Sequence, residues 1–418
     1  MNEIESYNQA KKIVEEYNQE HLLEFYERLS KEKQNELLKQ IHEIDFKQIQ
    51  DLYETVIKKA NTSQDDVIEP IAYIDKAKIE PEEKKRLQDI GIEKIKQKKL
   101  AVVTMAGGQG TRLGHNGPKG TYELFPEKSL FSILCETLKE ACKKYSTIIP
   151  WYIMTSEENY EDTIRFFEKN NYFEYSKNEI CFFKQGKLPM INKQGKVILE
   201  EQWKIKQASD GNGSIFISLL KNGIIEDMKE KGIEWIFIGG VDNCLVQMVD
   251  ALFIGLSEEK HVLASAKSLV KANPKEKVGV FCKKNGKPSV IEYSEIPEQL
   301  AEARDENGEL IYGESHIICN MFHINLIEKE GWKNLKYHAA LKKSNYINSK
   351  GENVEATEPN SYKFESFIFD MFERVDNMLI MRVKREEEFA PVKNKEGADS
   401  PETARKLYLN KNRKTETL

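Results

Sequence analysis

The sequence predicts an α/β fold, built on a mainly parallel mixed sheet and joined to an N-terminal helical region, on three observations. From Leu100 onward, short apolar runs alternate with segments of helical spacing, the pattern of strands connected by crossover helices. One run, Trp235–Asn243 (WIFIGGVDN), is apolar almost to its polar end, as a strand buried on both faces must be. Residues 1–98 are instead rich in Lys, Glu and Gln, with apolar positions such as Ile49, Leu52, Tyr53, Val56 and Ile57 at helical spacing.

Each element follows from local chemistry. Asn61–Asp66 (NTSQDD) breaks the first helical stretch, and Pro81 with Glu82 and Glu83 restarts one, placing proline and acids in a first turn that the helix dipole favours. Leu100–Met105 is the first long strand, Ser129–Tyr145 a helix, Trp151–Ser156 a strand, and a helix begins near Asn159 and runs to Lys169. Trp235–Asn243 and His261–Ala266 are further strands. Val278–Glu295 reads as two strands about the Asn285-Gly286 turn, a strong hairpin signal. Phe364–Phe372 (FESFIFDMF) is helix-like, with Phe367, Phe369 and Phe372 at core spacing, and Met378–Val383 is a strand. From Asn394 the chain is polar and loosely patterned. At about 150 residues per domain, 418 residues suggest two or three domains. The expected divisions are a scaffold or lid over 1–98, the chemistry over 99–395 and a short C-terminal segment over 396–418.

Lys and Arg number 63 and Asp and Glu 69, a net charge of −6, so no global positive field exists to hold a polyanion. Binding to nucleic acid or to a membrane surface is therefore not expected. The acidic start (Glu3, Glu5, Glu15, Glu16) lacks the basic end and apolar stretch of a signal peptide, and no apolar run approaches the roughly 18 residues of a membrane span. A cytoplasmic protein is expected. The six cysteines (Cys135, Cys142, Cys181, Cys244, Cys282, Cys319) sit in apolar segments with no zinc-type spacing, which fits buried reduced thiols.

The stretch with the most chemistry is Met105–Gly120, MAGGQGTRLGHNGPKG, where an apolar strand runs into Gly107, Gly108 and Gly110, then Arg112 and Lys119. Glycines let backbone N–H groups approach anionic oxygens, and the two cations neutralise charge, so the loop suits a polyphosphate. A dinucleotide fingerprint fails because Leu113 stands where the third glycine belongs. A P-loop fails because Lys119 follows Pro118 and precedes Gly120. Histidines add little, for His115 lies in the loop and the other six show neither metal spacing nor a nucleophile partner.

This loop resembles the signature of the UTP-dependent sugar-1-phosphate uridylyltransferases, above all the eukaryotic-type UDP-N-acetylglucosamine pyrophosphorylases. Further segments match in the family's order: Met154–Ser156, Phe182–Pro189, Asp210–Gly213, Val241–Asp250, the surroundings of Gly279 and Glu292, Tyr362–Asp370 and Arg385–Asn394. The resemblance implies a Rossmann-like nucleotidyltransferase core. It implies that Met105, Ala106, Gly107 and Gly108 wrap the nucleotide, with Lys119 on its phosphates, Lys363 reaching them from the far side and Arg112 over the leaving pyrophosphate. Gln185 and Gly211 would hold the uracil. Asp242 would meet the metal–nucleotide complex, with Mg²⁺ as the cofactor, and Lys393 would reach the phosphates from the far side. Asn212, Gly279, Glu292, Tyr293 and Asn320 would form the sugar pocket.

The implied reaction is in-line attack of a sugar-1-phosphate oxygen on the α-phosphorus of UTP. A phosphate monoester is nucleophilic at neutral pH, so no general base is needed and the lack of a Ser/His/Asp or Cys/His set is no obstacle. UDP-glucose pyrophosphorylases more often carry Leu where Gln109 stands and no Arg at the position of Arg112, so the resemblance implies an N-acetylhexosamine 1-phosphate, most readily N-acetylglucosamine, over glucose 1-phosphate. Alternatives are a UDP-glucose pyrophosphorylase and a non-catalytic UDP-sugar-binding protein on the same fold. Thr121 in KGTYEL, where the family usually has Met, Lys187 in QGKLPMI and an end at Leu418, before the family's small C-terminal domain, depart from the usual pattern. A monomer or weak oligomer is expected.

Overall fold

The computed structural model describes residues 3–58, 66–331 and 335–416. Two compact units emerge, one formed by Met1–Asp65, Gly186–Ser214 and Leu335–Phe367, the other by Asp66–Gln185, Ile215–Asn334 and Ile368–Leu418.

In the first unit the predicted helices are Glu3–Glu16, Lys31–Glu43 and Phe46–Leu52. Ser30 Oγ caps the second by accepting from Lys33 N (3.4 Å), and Asp45 Oδ1 caps the third by accepting from Gln48 N (2.9 Å). Their apolar stripes, including Ala10, Leu37, Ile41 and Ile49, close on Ile191, Val197 and Phe364 from much later in the chain. Those residues belong to or border a small sheet in which Ser361–Ser366 lies between Tyr337–Lys342 and Ile191–Asn192, antiparallel to both. The division at residue 98 is thereby corrected: the helical stretch finds its hydrophobic partner in two distant inserts, and 66–98 joins the other unit. The predicted break at Asn61–Asp66 falls outside the described residues except for Asp66.

The second unit is built on an 11-stranded mixed sheet. Its principal strands are β1 (Leu100–Met105), β2 (Trp151–Thr155), β3 (Ile180–Lys184), β4 (Trp235–Gly240), β5 (Ala264–Val270), β6 (Val280–Lys284), β7 (Lys287–Ile291), β8 (Glu314–His323) and β9 (Leu379–Arg382). Across the sheet the order is β9-β5-β8-β4-β1-β2-β3. All neighbours are parallel except β8, which is antiparallel to both β5 and β4. The β6–β7 hairpin turns at Asn285 (φ 51°) and Gly286 (φ 78°), both in the left-handed region that an Asn-Gly turn supplies.

Leu130–Tyr145, capped by Ser129 Oγ accepting from Ser132 N (3.1 Å), and Tyr160–Lys169 form as predicted. Pro81–Lys96 packs on Ala251–Glu259 with backbones in contact, since a Cβ on Gly91 would stand 1.8 Å from Ala251 O. Two expectations are corrected. Phe364–Ser366 ends the strand Ser361–Ser366 and is followed by a 3₁₀ helix, Ile368–Arg374, because pairing of these residues with Tyr337, His338 and Ala339 outweighs the helical spacing. Beyond Asn394 the polar, loosely patterned stretch is largely helical: Pro401–Glu416 is a helix, and Leu407 and Tyr408 pack on the core of this unit. The thiols are all free, Cys135, Cys244, Cys282 and Cys319 being buried. Among the described residues no helix is long and apolar enough to cross a membrane.

Candidate active site

Strands β1 and β4 lie side by side and parallel, in register from Trp235 opposite Leu100 to Gly240 opposite Met105. The chain proceeds from β1 to β2 and β3 on one side, whereas β4 lies on the other, so the connections diverge at the C-terminal ends of β1 and β4. Open α/β sheets take ligands at such a switch point. The glycine-rich loop leaves β1 there, and Asp242 follows β4 by two residues.

The loop is held close to the sheet. Ala106 N donates to Met154 O (2.7 Å) and Val241 N to Met105 O (3.1 Å), which ties its first residues to both neighbouring strands. A Cβ on Gly107 would meet Gln185 Oε1 at 2.8 Å and Ser156 N at 3.2 Å, so only glycine lets the loop pass under the Gln185 side chain. Lys119 N donates to Gly108 O (3.0 Å) and Gly110 N to Gly117 O (2.9 Å), folding the loop back on itself. That ribbon carries the Lys119 stem to 3.9 Å from the Cβ position of Gly108. His115 is a packing residue here: its Nε2 lies 2.7 Å from Thr121 Oγ1 and its ring stands edge-on to Tyr122. Arg112 is exposed and Lys119 half-buried, and among the described residues neither has an acidic partner within ion-pair distance. Two uncompensated cations on a glycine loop favour an anion.

A residue that the sequence reading overlooked fixes this loop. Asn159 is fully buried at the start of Tyr160–Lys169; its Nδ2 donates to Ala106 O (3.0 Å) and Gly108 O (3.4 Å), and its Oδ1 accepts from Ser156 N (2.9 Å). The available signal was a helix-initiating Asn immediately after a strand that borders the loop's own strand.

Asp242 and Lys393 meet through a short ladder. Val392 N donates to Asp242 O (2.9 Å), Cys244 N to Ala390 O (3.2 Å) and Ala390 N to Asn243 Oδ1 (2.9 Å). Asp399, in the segment read as loosely patterned, accepts from Lys393 N (2.7 Å) with its carbonyl and lies 3.7 Å from Lys393 Nζ with Oδ2.

Three of the expected sugar residues also gather. A Cβ on Gly279 would be 3.2 Å from Glu292 Oε1, His316 N donates to Gly279 O (2.9 Å), and His316 Nε2 lies 3.1 Å from Asn320 Oδ1. Burial pushes the His316 imidazole down to about 4, with the Asn320 contact pulling the other way, so it is neutral at pH 7. Tyr293, 47% exposed, presents its ring to solvent. A cavity of about 530 Å³ near Lys128, Glu136, Glu140 and Lys411 shares none of the expected site residues.

Gly211, Asn212 and Lys363 belong to the other unit. There Ser366 N donates to Asp210 O (2.8 Å), pinning Asp210–Gly213 to the strand that carries Lys363, and Lys363 Nζ donates to Glu365 Oε1 (2.7 Å).

Known proteins match this arrangement along most of the chain. The family profile described as UTP–glucose-1-phosphate uridylyltransferase covers residues 45–410. The Homo sapiens UDP-N-acetylhexosamine pyrophosphorylase-like protein 1 is 39% identical over 344 residues, 79% of this chain and 68% of that protein. The Saccharomyces cerevisiae UDP-N-acetylglucosamine pyrophosphorylase is 36% identical over 428 residues, 96% of this chain and 89% of that protein. Among solved structures, the Trypanosoma brucei uridine diphosphate N-acetylglucosamine pyrophosphorylase in complex with inhibitor superposes with a TM-score of 0.85 at 29% identity, over 97% of this chain and 84% of that one. The chain therefore belongs to the UTP–glucose-1-phosphate uridylyltransferase family.

Proposed function

We propose that this protein transfers the uridylyl group of UTP to a sugar 1-phosphate, by preference an N-acetylhexosamine 1-phosphate, and releases pyrophosphate. The observation that carries the reading is the pair Arg112 and Lys119, cations without acidic partners among the described residues, on a glycine-rich loop at the switch point of the sheet. The new bond joins a sugar-phosphate oxygen to the α-phosphorus as the α–β bridging bond breaks, so negative charge builds on the leaving pyrophosphate. Lys119 and Arg112 stabilise that charge, and Lys393, anchored beside Asp242, approaches from the far side. Met105, Ala106, Gly107, Gly108 and Gln185 hold the nucleotide, and Gly211, Asn212 and Lys363 keep the roles that the resemblance implies. The preference for an N-acetylated sugar rests on the relatives, named as UDP-N-acetylhexosamine and UDP-N-acetylglucosamine pyrophosphorylases, and on Gln109 and Arg112.

The donor set suits Mg²⁺. Among the described residues no cluster of three His, Cys, Asp or Glu side chains could cage a metal, but Mg²⁺ is commonly bound by one or two carboxylates plus substrate phosphates, which asks only for Asp242. When bound, the ion would supply charge neutralisation at the triphosphate.

The test is pyrophosphate release from UTP and Mg²⁺ against a panel of sugar 1-phosphates. N-acetylglucosamine 1-phosphate is expected to outpace glucose 1-phosphate, and UTP to outpace ATP. Equal rates with glucose 1-phosphate would remove the sugar assignment. Tight UDP-sugar binding with no pyrophosphate released would replace the reading with a non-catalytic binding protein.

A further inference from the structure

We propose that His316 is a positioning residue for sugar recognition: it holds Asn320 Oδ1, so that Asn320 Nδ2 is presented as a donor to an acceptor oxygen of the sugar 1-phosphate. The inference rests on the uridylyl-transfer reading and deepens it.

Four residues apart on a regular strand, His316 and Asn320 would be separated by roughly 13 Å, far beyond hydrogen-bond reach. The strand is not regular. Along the β5–β8 ladder Asn320 pairs with Ala266 and His316 with Ser268, so four steps on β8 face two on β5. The slack is taken up at Ile318, whose φ of 54° is a left-handed conformation that a β-branched residue adopts only under constraint from its surroundings. This bulge shortens the rise of β8 between the two residues and brings the imidazole Nε2 to 3.1 Å from Asn320 Oδ1. Bulges recur beside functional sites because they re-aim a side chain.

The imidazole itself has little freedom. Its ring stands edge-on to Phe281, Phe369 and Phe372, and its backbone N–H is tied to Gly279 O. An Nε2–H tautomer donates to Oδ1 and directs Nδ2 the other way. Asn320 is fully buried, and its Nδ2 finds no acceptor among the described residues. A buried N–H without an acceptor is unfavourable, and a ligand oxygen would satisfy it. The His316 backbone is tied to Gly279, and Glu292 Oε1 lies against Gly279 in turn, so three expected sugar contacts stand in one connected group around His316.

The test uses steady-state kinetics of the full chain with UTP, Mg²⁺ and N-acetylglucosamine 1-phosphate. His316→Phe, accommodated by the surrounding aromatic rings, is expected to lower kcat/KM for the sugar 1-phosphate roughly tenfold, through KM, with the KM for UTP changing less than about twofold. His316→Gln retains an N–H donor and should recover much of the loss. Asn320→Asp keeps the acceptor facing His316 but removes the donor, and should match the loss in His316→Phe. The His316→Phe/Asn320→Ala double variant should be no worse than Asn320→Ala alone, since the histidine acts through the amide. Additive losses, or a parallel rise in the KM for UTP, would overturn the proposal. Should His316→Phe fail to show a cooperative thermal transition, the cycle of His316→Gln with Asn320→Asp decides by the same criterion. If the wild-type chain releases pyrophosphate with no sugar 1-phosphate at all, the uridylyl-transfer reading falls first and this role with it.

Discussion

Lys393 lies within 3.7 Å of Asp399 Oδ2 and next to the backbone partner of Asp242, so its charge is oriented rather than merely solvated. A cation placed to meet charge that builds in the transition state acts more on kcat than on ground-state binding. Lys393→Ala is expected to lower kcat by at least about tenfold while the KM for UTP moves less. An unchanged kcat would return it to the role of a surface lysine. Asp242→Asn leaves the carbonyl that holds Val392 intact, so its effect isolates the carboxylate. Turnover should be lost at low Mg²⁺ and recover in part at high Mg²⁺. Equal impairment across an Mg²⁺ titration would count against metal binding by this residue.

At the scale of elements, the glycine-rich loop owes its shape to a helix that the loop's own sequence does not mention. Asn159→Ala strips the buried Ala106 carbonyl of one donor and the Ser156 N–H of its acceptor, and should cost about 2–3 kcal/mol of stability. Urea unfolding measures that loss. The KM for UTP should rise alongside it, because the loop proposed to wrap the nucleotide loosens; an unaltered KM would mean that β1 and its neighbours hold the loop unaided. The β6–β7 hairpin was legible because Asn285 and Gly286 satisfy the turn with two positive φ angles of their own. Phe364–Ser366 was misread because helical spacing of aromatics cannot reveal that Tyr337–Lys342 and Ile191–Asn192 wait on either side of that strand.

At the scale of the molecule, the larger unit is cross-linked by a buried ionic cluster. Lys267, fully buried in β5, bridges Asp250 Oδ2 (2.9 Å) and Glu388 Oε2 (2.5 Å), and Lys76 reaches both carboxylates at 3.2 and 2.7 Å. The cluster joins a helix cap, a central strand, the segment leading to Lys393 and the start of the unit. Burial would raise the Asp250 carboxyl, but Lys267 and Lys76 outweigh it and hold it well below the usual carboxylate range. Its folded pKa being depressed, its contribution is present above the unfolded value and fades as pH falls toward the folded one. Lys267→Met leaves two buried carboxylates sharing Lys76 and should cost about 3–5 kcal/mol at pH 7. Urea midpoints measured from pH 7 down to pH 3.5 should show the gap from wild type narrowing through the carboxylate range. A gap that stays constant with pH would assign the loss to packing alone.

The α/β class, the apolar central strand, the glycine-rich loop that follows its strand, and the position of Asp242 at a strand end were all readable in one dimension. Periodicity, turn chemistry and the run from strand into glycines depend on neighbours within a few residues. Membership of the two units was not readable, since Met1–Asp65 closes its core with Ile191, Val197 and Phe364, contacts that no local pattern encodes. Nor were Asn159 as the loop's clamp, Asp399 as the partner of Lys393, or His316 beside Asn320. Each depends on which strands pair and in what register, and the bulge at Ile318 exists only because β5 and β8 are matched unequally. Pairing partners and register are set by burial across the whole sheet, a property of the assembled core that no window of the chain contains.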